Sequence, residues 1–396
     1  MNTRINAFFS YGFRPFFLLG AIYAVIVVLP WVVHFMDAGG QGIGFGIGTG
    51  IPATEWHAHE MLFGYTSAII AGFFLTAVPS WTKRKPVAGV SLFGLTIVWV
   101  LGRLVNWFPD QLPFGVAAVI DGAFIPFLVA LVIRALTAGW SKRNLIFLPV
   151  FAGLFAANVM VHLEWMGVTS ETAAQGHRLA LDLVIALIIL LGGRVIPAFT
   201  TSFLHNRGDV VLPRQSAWMT RLAVLSVVAM VITNQALPDT FASGVVVAFA
   251  AMVNGLRLAG WRGHRVLGTP ILWVLFLGYG FVVIGLVADA VAILWDWLPR
   301  STADHLLTIG GIGCMTLGIM TRAGLGHTGR QPHATPVMST AFVALAVAAA
   351  LRTLGPVLWP EFYVEAMAVV GGLWIAVFAV FSVAFWPILT RPRLGK

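Results

Sequence analysis

The sequence predicts an all-α polytopic membrane protein of about twelve transmembrane helices. Two observations carry this. Of 396 residues, 59% are hydrophobic and only 10% charged, and the mean hydropathy is +0.90, a balance foreign to water-soluble domains. The apolar residues also fall into runs of about 20 or more, the length that crosses a ~30 Å hydrocarbon core as a helix. The net charge of +9 therefore reports loop orientation. A lipid bilayer is the expected partner and nucleic acid is not. The single cysteine, Cys314, lies mid-span, which excludes an internal disulfide, thiolate clusters and covalent haem attachment.

Taken in order, the spans read roughly 15–36, 58–79, 87–107, 113–137, 144–166, 175–197, 216–236, 240–260, 268–293, 303–324, 336–356 and 362–389. The first follows Arg4 and Arg14 without a small-residue cleavage site, so it reads as an uncleaved span. The second contains Met61 to Val78, a run with no charge. The remaining spans are set off by short basic or Pro/Gly-containing connections that leave no room for an extramembrane domain, and residues 1–396 read as one transmembrane domain. Twenty of the 24 basic residues fall on one side of this layout; Arg103, Arg178, Arg300 and Arg352 are the exceptions. The positive-inside rule then places both termini in the cytoplasm.

The same layout sorts the ten histidines. His205, His264, His327 and His333 fall at the inner face. His34, His57, His59, His162, His177 and His305 gather at the outer ends of spans 1, 2, 5, 6 and 10. A lone interfacial histidine is usually a satisfied polar group. Six on one face, from five spans, are the raw material of a metal site built across a helical bundle. The densest stretch is Trp56-His57-Ala58-His59-Glu60-Met61 at the mouth of span 2. Its plain alternative is a wet helix start, with Glu60 complementing the helix dipole. His57 and His59 are two residues apart and point to different sides of a continuous helix, so they are not expected to share one metal. Glu60 is placed to orient a histidine N–H. Asp121, Asp182 and Asp289 are carboxylates in otherwise apolar spans, candidates for proton relay. Arg103 and Arg352 are candidates for haem propionates or for pairing with these acids. The alternative for both is snorkelling or helix–helix hydrogen bonding.

Spans 2, 6 and 10 each begin with an outer histidine: His59, His177 and His305. Arg194 and Arg322 follow the latter two by 17 positions, about 25 Å of helix. Pro79 and Pro197 follow His59 and His177 at equal spacing, and Ala138-Gly139-Trp140 recurs as Ala259-Gly260-Trp261. These echoes outline three four-helix units, 1–139, 140–260 and 261–396. Chance recurrence of short apolar words is the competing explanation. At the inner ends of spans 6 and 10, Arg194, Arg322 and Arg330 stand among glycines and threonines and offer anion contacts or cap helix ends. His327 is a candidate for a second, inner metal or haem.

Four blocks resemble the NnrS family of haem- and copper-containing membrane proteins. They are Tyr11-Gly12-Phe13-Arg14-Pro15-Phe16-Phe17; Trp56 to Gly64 with Thr76-Ala77-Val78-Pro79; Gly193 to Thr200; and Thr321-Arg322-Ala323 with Gly326-His327-Thr328-Gly329-Arg330. The resemblance implies a bacterial inner-membrane protein tied to nitric oxide metabolism, denitrification and relief of nitrosative stress. It also implies non-covalent haem b and copper as cofactors, with metal ligands sought among His57, His59, His305 and His327.

Three functional classes fit these readings. One is a haem/copper protein that binds or processes nitric oxide, as an oxidoreductase fed by quinol or another redox partner. Another is a secondary transporter of copper or a metal complex. The third is a sensor that binds without turnover. No paired broken helices are legible to favour the transporter, and no electron-entry module is legible to favour the enzyme.

Overall fold

In hydrocarbon a backbone has no water to bond, so an apolar run of this length closes its hydrogen bonds on itself as a helix. The structure, a computed structural model, describes residues 3–36, 51–137 and 142–395. The protein is 83% helical, with no strand among the described residues. Among the described residues twelve helices are long and apolar enough to cross a membrane: α1 (Phe13–Met36), α2 (Ala53–Thr82), α3 (Val90–Trp107), α4 (Phe114–Ile133), α5 (Phe147–Trp165), α6 (Thr172–Asn206), α7 (Ala217–Ala236), α8 (Phe241–Ala259), α9 (Pro270–Trp295), α10 (Arg300–His327), α11 (Pro336–Leu358) and α12 (Pro360–Thr390). The fold class is the one the sequence predicts. Several ends move outward: α2 starts directly after Pro52, whose fixed φ suits the residue before a helix, and α6 runs on through Pro197 to Asn206.

The described residues pack as two units, the first within 1–181, 323–331 and 378–396, the second within 182–322 and 332–377. In the first, Phe16, Phe17, Phe74, Phe147 and Phe151 are buried, and Phe74 meets Phe147 and Phe151 edge-on at 4.9 Å. Gly72 admits Phe17: a Cβ there would come within 2.7 Å of its ring. Lipid supplies no hydrophobic force between helices, so small residues that permit close contact do this work. In the second unit, Tyr279 is fully buried. It donates to Asn254 at 2.7 Å and packs on Trp261 at 4.8 Å. Thus the Ala259-Gly260-Trp261 exit seals a helix pair. Its sequence counterpart, Ala138-Gly139-Trp140, lies outside the described residues.

Two helices contain a π-helical segment. In α2 it is Glu60–Thr66, directly after His59. In α10 it is Leu306–Gly313, directly after His305. Both helices stay continuous through these segments, which the sequence reading does not contain. A π turn inserts residues without a Pro or a polar break, so hydropathy does not register it.

Candidate metal centre

The site lies in the first unit and begins with a buried carboxylate. Glu60, fully buried, opens the π segment of α2. Its Oε2 accepts from the Tyr23 hydroxyl of α1. Arg103 of α3 donates Nη1 to both its oxygens, at 2.7 and 2.6 Å, and Asn106 donates Nδ2 to Oε1 at 3.2 Å. Trp107 Nε1 donates to Tyr23 at 2.9 Å. Arg103 then reaches on: Nη2 pairs with Asp121 of α4. One guanidinium fork thus bridges two buried carboxylates, a geometry a lysine does not supply.

Asp121 carries the network to α5. Its Oδ2 accepts from Asn158 Nδ2 at 2.8 Å and His162 Nε2 at 3.0 Å. His59 closes the ring. Its Nδ1 donates to Glu60 Oε1 at 2.9 Å, and its Nε2 stands 3.3 Å from Asp121 Oδ2 without a hydrogen-bond partner. Donor atoms of His59, Asp121 and His162 all lie within 4.8 Å of one another, and all three residues are buried. His177 of α6 joins them, its ring centroid 6.4 Å from that of His59 and its buried Nε2 unbonded. Trp165 packs against His59 at 4.9 Å and His162 at 5.2 Å.

Local sequence permits this convergence. Gly64 sits one turn beyond Glu60. A Cβ there would meet the Tyr23 ring at 2.7 Å and Arg103 Nη1 at 2.9 Å. The carbonyl of Gly64, at the π segment, accepts from Trp99 Nε1 at 3.0 Å. The irregular backbone is therefore bonded by a side chain of α3, as a break at membrane depth requires.

Charge bookkeeping defines what the site wants. With both histidines neutral, Glu60, Asp121 and Arg103 sum to one negative charge, buried in low dielectric. An uncompensated buried charge is costly. One further positive charge balances the centre. Two imidazoles and a carboxylate are also a donor set that suits copper, iron or zinc. The residues therefore fit a metal ion. The rings of His59 and His162, 5.3 Å apart and facing one carboxylate, leave no room for a macrocycle between them.

The family profile described as NnrS protein matches residues 7–393, nearly the whole chain. The chain belongs to the NnrS family. No curated relative matches it. Membership supports a role in the response to nitric oxide and goes with metal or haem binding. In this NnrS chain the Trp56–Gly64 block contributes His59, Glu60 and Gly64, so the family block and the physical site coincide.

The other candidates of this NnrS chain are placed as follows. His57 does not share the face of His59; it stacks on Trp31 at 4.5 Å, and His34 stacks on the same indole at 6.0 Å. His327 packs against Phe13 at 5.6 Å. Arg330 also lies in the first unit. The second unit holds the remainder. Asp182 accepts from Asn234 at 2.9 Å, and Asp289 faces Arg300 at 3.1 Å. Arg322 lies over the Phe199 ring at 3.8 Å, and Arg194 sits half-buried in α6. His305 donates Nδ1–H to the Ser301 carbonyl one turn back at 2.6 Å, and Arg352 is the cation bearing on it. Sequence reasoning missed Tyr23, Asn106, Trp107 and Asn158. The two asparagines, polar side chains in apolar spans, were the available signal; Tyr23 gave none.

Proposed function

We propose that this chain is a haem- and copper-containing protein of the bacterial inner membrane that binds or processes nitric oxide. Its ion site is His59, His162 and Asp121, with His177 alongside, at the periplasmic ends of the spans, and both termini are cytoplasmic. The observation that carries the reading is the His59–Asp121 contact. His59 gives its Nδ1 proton to Glu60, so a neutral imidazole turns a lone pair on Nε2 toward a carboxylate oxygen 3.3 Å away. A proton or a metal ion has to lie between two such atoms.

Each residue then has a task. Glu60 fixes the tautomer and direction of His59. Arg103 holds Glu60 and Asp121 apart and ionised. His162 would hold an ion through Nε2 with its one ring proton carried on Nδ1 instead. Tyr23, bonded to Glu60, connects the centre to a proton donor outside the ligand set, through the sequence Tyr23, Glu60, His59. When bound, a copper or iron ion with an open position supplies affinity for nitric oxide, which reaches the site through the bilayer. For haem, His305 has the suitable form: Nδ1–H anchored to a backbone carbonyl, Nε2 left as the donor, and Arg352 near for a propionate.

The test is an optical spectrum with iron and copper counted on one purified sample, before and after nitric oxide. Stoichiometric metal and a nitric-oxide-dependent band support the reading, and consumption of nitric oxide with an electron donor separates an enzyme from a sensor. Folded protein without metal refutes it. A second reading, a secondary transporter of copper or a metal complex, draws on the π segments of α2 and α10 beside His59 and His305, since such irregular turns gather at functional sites. Copper flux in proteoliposomes without bound haem is its signature.

A further inference from the structure

The far end of the first unit holds a cationic cluster that the metal centre does not use. Phe13 N bonds Thr76 Oγ1 at 3.1 Å. Thr76 follows His59 by 17 residues, about 25 Å along α2, so Arg14 stands at the end opposite the histidines. Arg14 is 2% exposed. Its Nη1 donates to the carbonyls of Leu389 and Arg391, at 2.8 and 2.6 Å, the carbonyl end of α12. Helix capping accounts for that atom. It does not account for Nε, which is buried without a hydrogen-bond partner. Nor does it account for the company Arg14 keeps.

That company is positive. Arg330 is the charge that repels Arg14, and Arg393 is the charge that repels His327. The two segments are tied together: Leu394 N bonds Thr328 O at 3.0 Å, and Arg393 Cγ would lie 3.4 Å from a Cβ on Gly329. Gly329 holds φ +78°, a left-handed turn that glycine permits. The three segments that build the cluster, 1–36, 323–331 and 378–396, contain no Asp or Glu. Folding has gathered arginines from α1, from the turn after α10 and from the segment after α12 around one buried guanidinium, with no Asp or Glu in these segments to match. Such an arrangement is stable with an external anion.

We infer that Arg14, Arg330 and Arg393 form a binding site for a phosphate-type oxyanion. A phosphodiester headgroup of an anionic lipid is one source of that chemistry, since basic pockets at helix ends hold such headgroups. Free phosphate is the other.

The experiment uses the purified full chain, stripped of lipid in neutral detergent, with thermal unfolding followed as phosphatidylglycerol, phosphatidylcholine or inorganic phosphate is added. The expected result is an upward shift with phosphatidylglycerol and none with phosphatidylcholine. The double variant R330Q/R393Q, at positions that are not buried, requires roughly 30-fold more phosphatidylglycerol for the same shift. An equal shift with inorganic phosphate also supports the site and assigns free phosphate as the source. No shift with either anion overturns the inference, as does a double variant that responds like the parent.

Discussion

His59 Nε2 lies 3.3 Å from Asp121 Oδ2 and makes no hydrogen bond. Around that contact Glu60 is engaged by four donors, and Asp121 by Arg103, Asn158 and His162. His177 Nε2 is buried and unbonded alongside, and buried imidazole nitrogens left without partners beside an engaged carboxylate are organised for a ligand.

Replacing His59 or His162 with alanine removes one of three ion ligands. Bound copper per protein is expected to fall from stoichiometric to near zero in each. His34→Ala, altering a ring that stacks on Trp31, should leave the content unchanged. Elemental analysis of the folded variants decides it, and full occupancy in both centre variants sinks the assignment.

Arg103→Met leaves Glu60 and Asp121 facing each other without their shared cation. Breaking a buried pair in this way costs about 3–5 kcal/mol, to be read as thermal destabilisation. Arg103→Lys should recover little of it, because a point charge does not bridge two carboxylates. A lysine variant as stable as the parent contradicts the bridging role.

Gly64→Ala puts a methyl 2.7 Å from the Tyr23 ring and 2.9 Å from Arg103. Overpacking of this kind costs about 1–3 kcal/mol, and metal content should drop with it as α2 shifts from α1 and α3. Gly372→Ala, whose methyl meets nothing within 4 Å, is the matched control and should be neutral. Equal melting temperatures for the two variants would falsify the close-packing argument.

Tyr23→Phe keeps the ring in place, between Trp99 at 5.5 Å and Arg103, and deletes the donor to Glu60. A hydrogen bond to a charged group is worth about 1.5–3 kcal/mol, so stability should fall by that order while metal stays bound. The nitric-oxide-induced spectral change should slow. Loss of metal in this variant would make Tyr23 structural to the ligand set instead.

His305→Ala is expected to abolish the haem absorbance and leave copper content intact. His59→Ala should do the reverse. A single variant that removes both cofactors argues against two separate centres.

Much of this was legible in the chain. Sorting histidines by span end gathered His59, His162 and His177 on one face, and a carboxylate inside an apolar span marked Asp121. Two-residue spacing separated His57 from His59, as their different surroundings reflect. The sequence leaves Arg103 open between propionates and acids, because a guanidinium at a span end has both within reach until its neighbours are known. The π segments were not legible, since Glu60–Thr66 and Leu306–Gly313 have the composition of ordinary helix. Tyr23 was not legible either; an aromatic in an apolar span has the same sequence signal whether it packs or donates.

The sequence by itself determined twelve helices and the polar residues each carries across the membrane. Those follow from run length and from backbone groups that must bond within the helix, both local properties. Tertiary packing alone sets that Glu60 meets Tyr23 and Arg103, that Asp121 joins His59, and that Arg14 gathers the carbonyls at the end of α12. Those pairings depend on helix rotation and on approaches of a few tenths of an ångström at glycines such as Gly64, where residues far apart in the chain set the distance together.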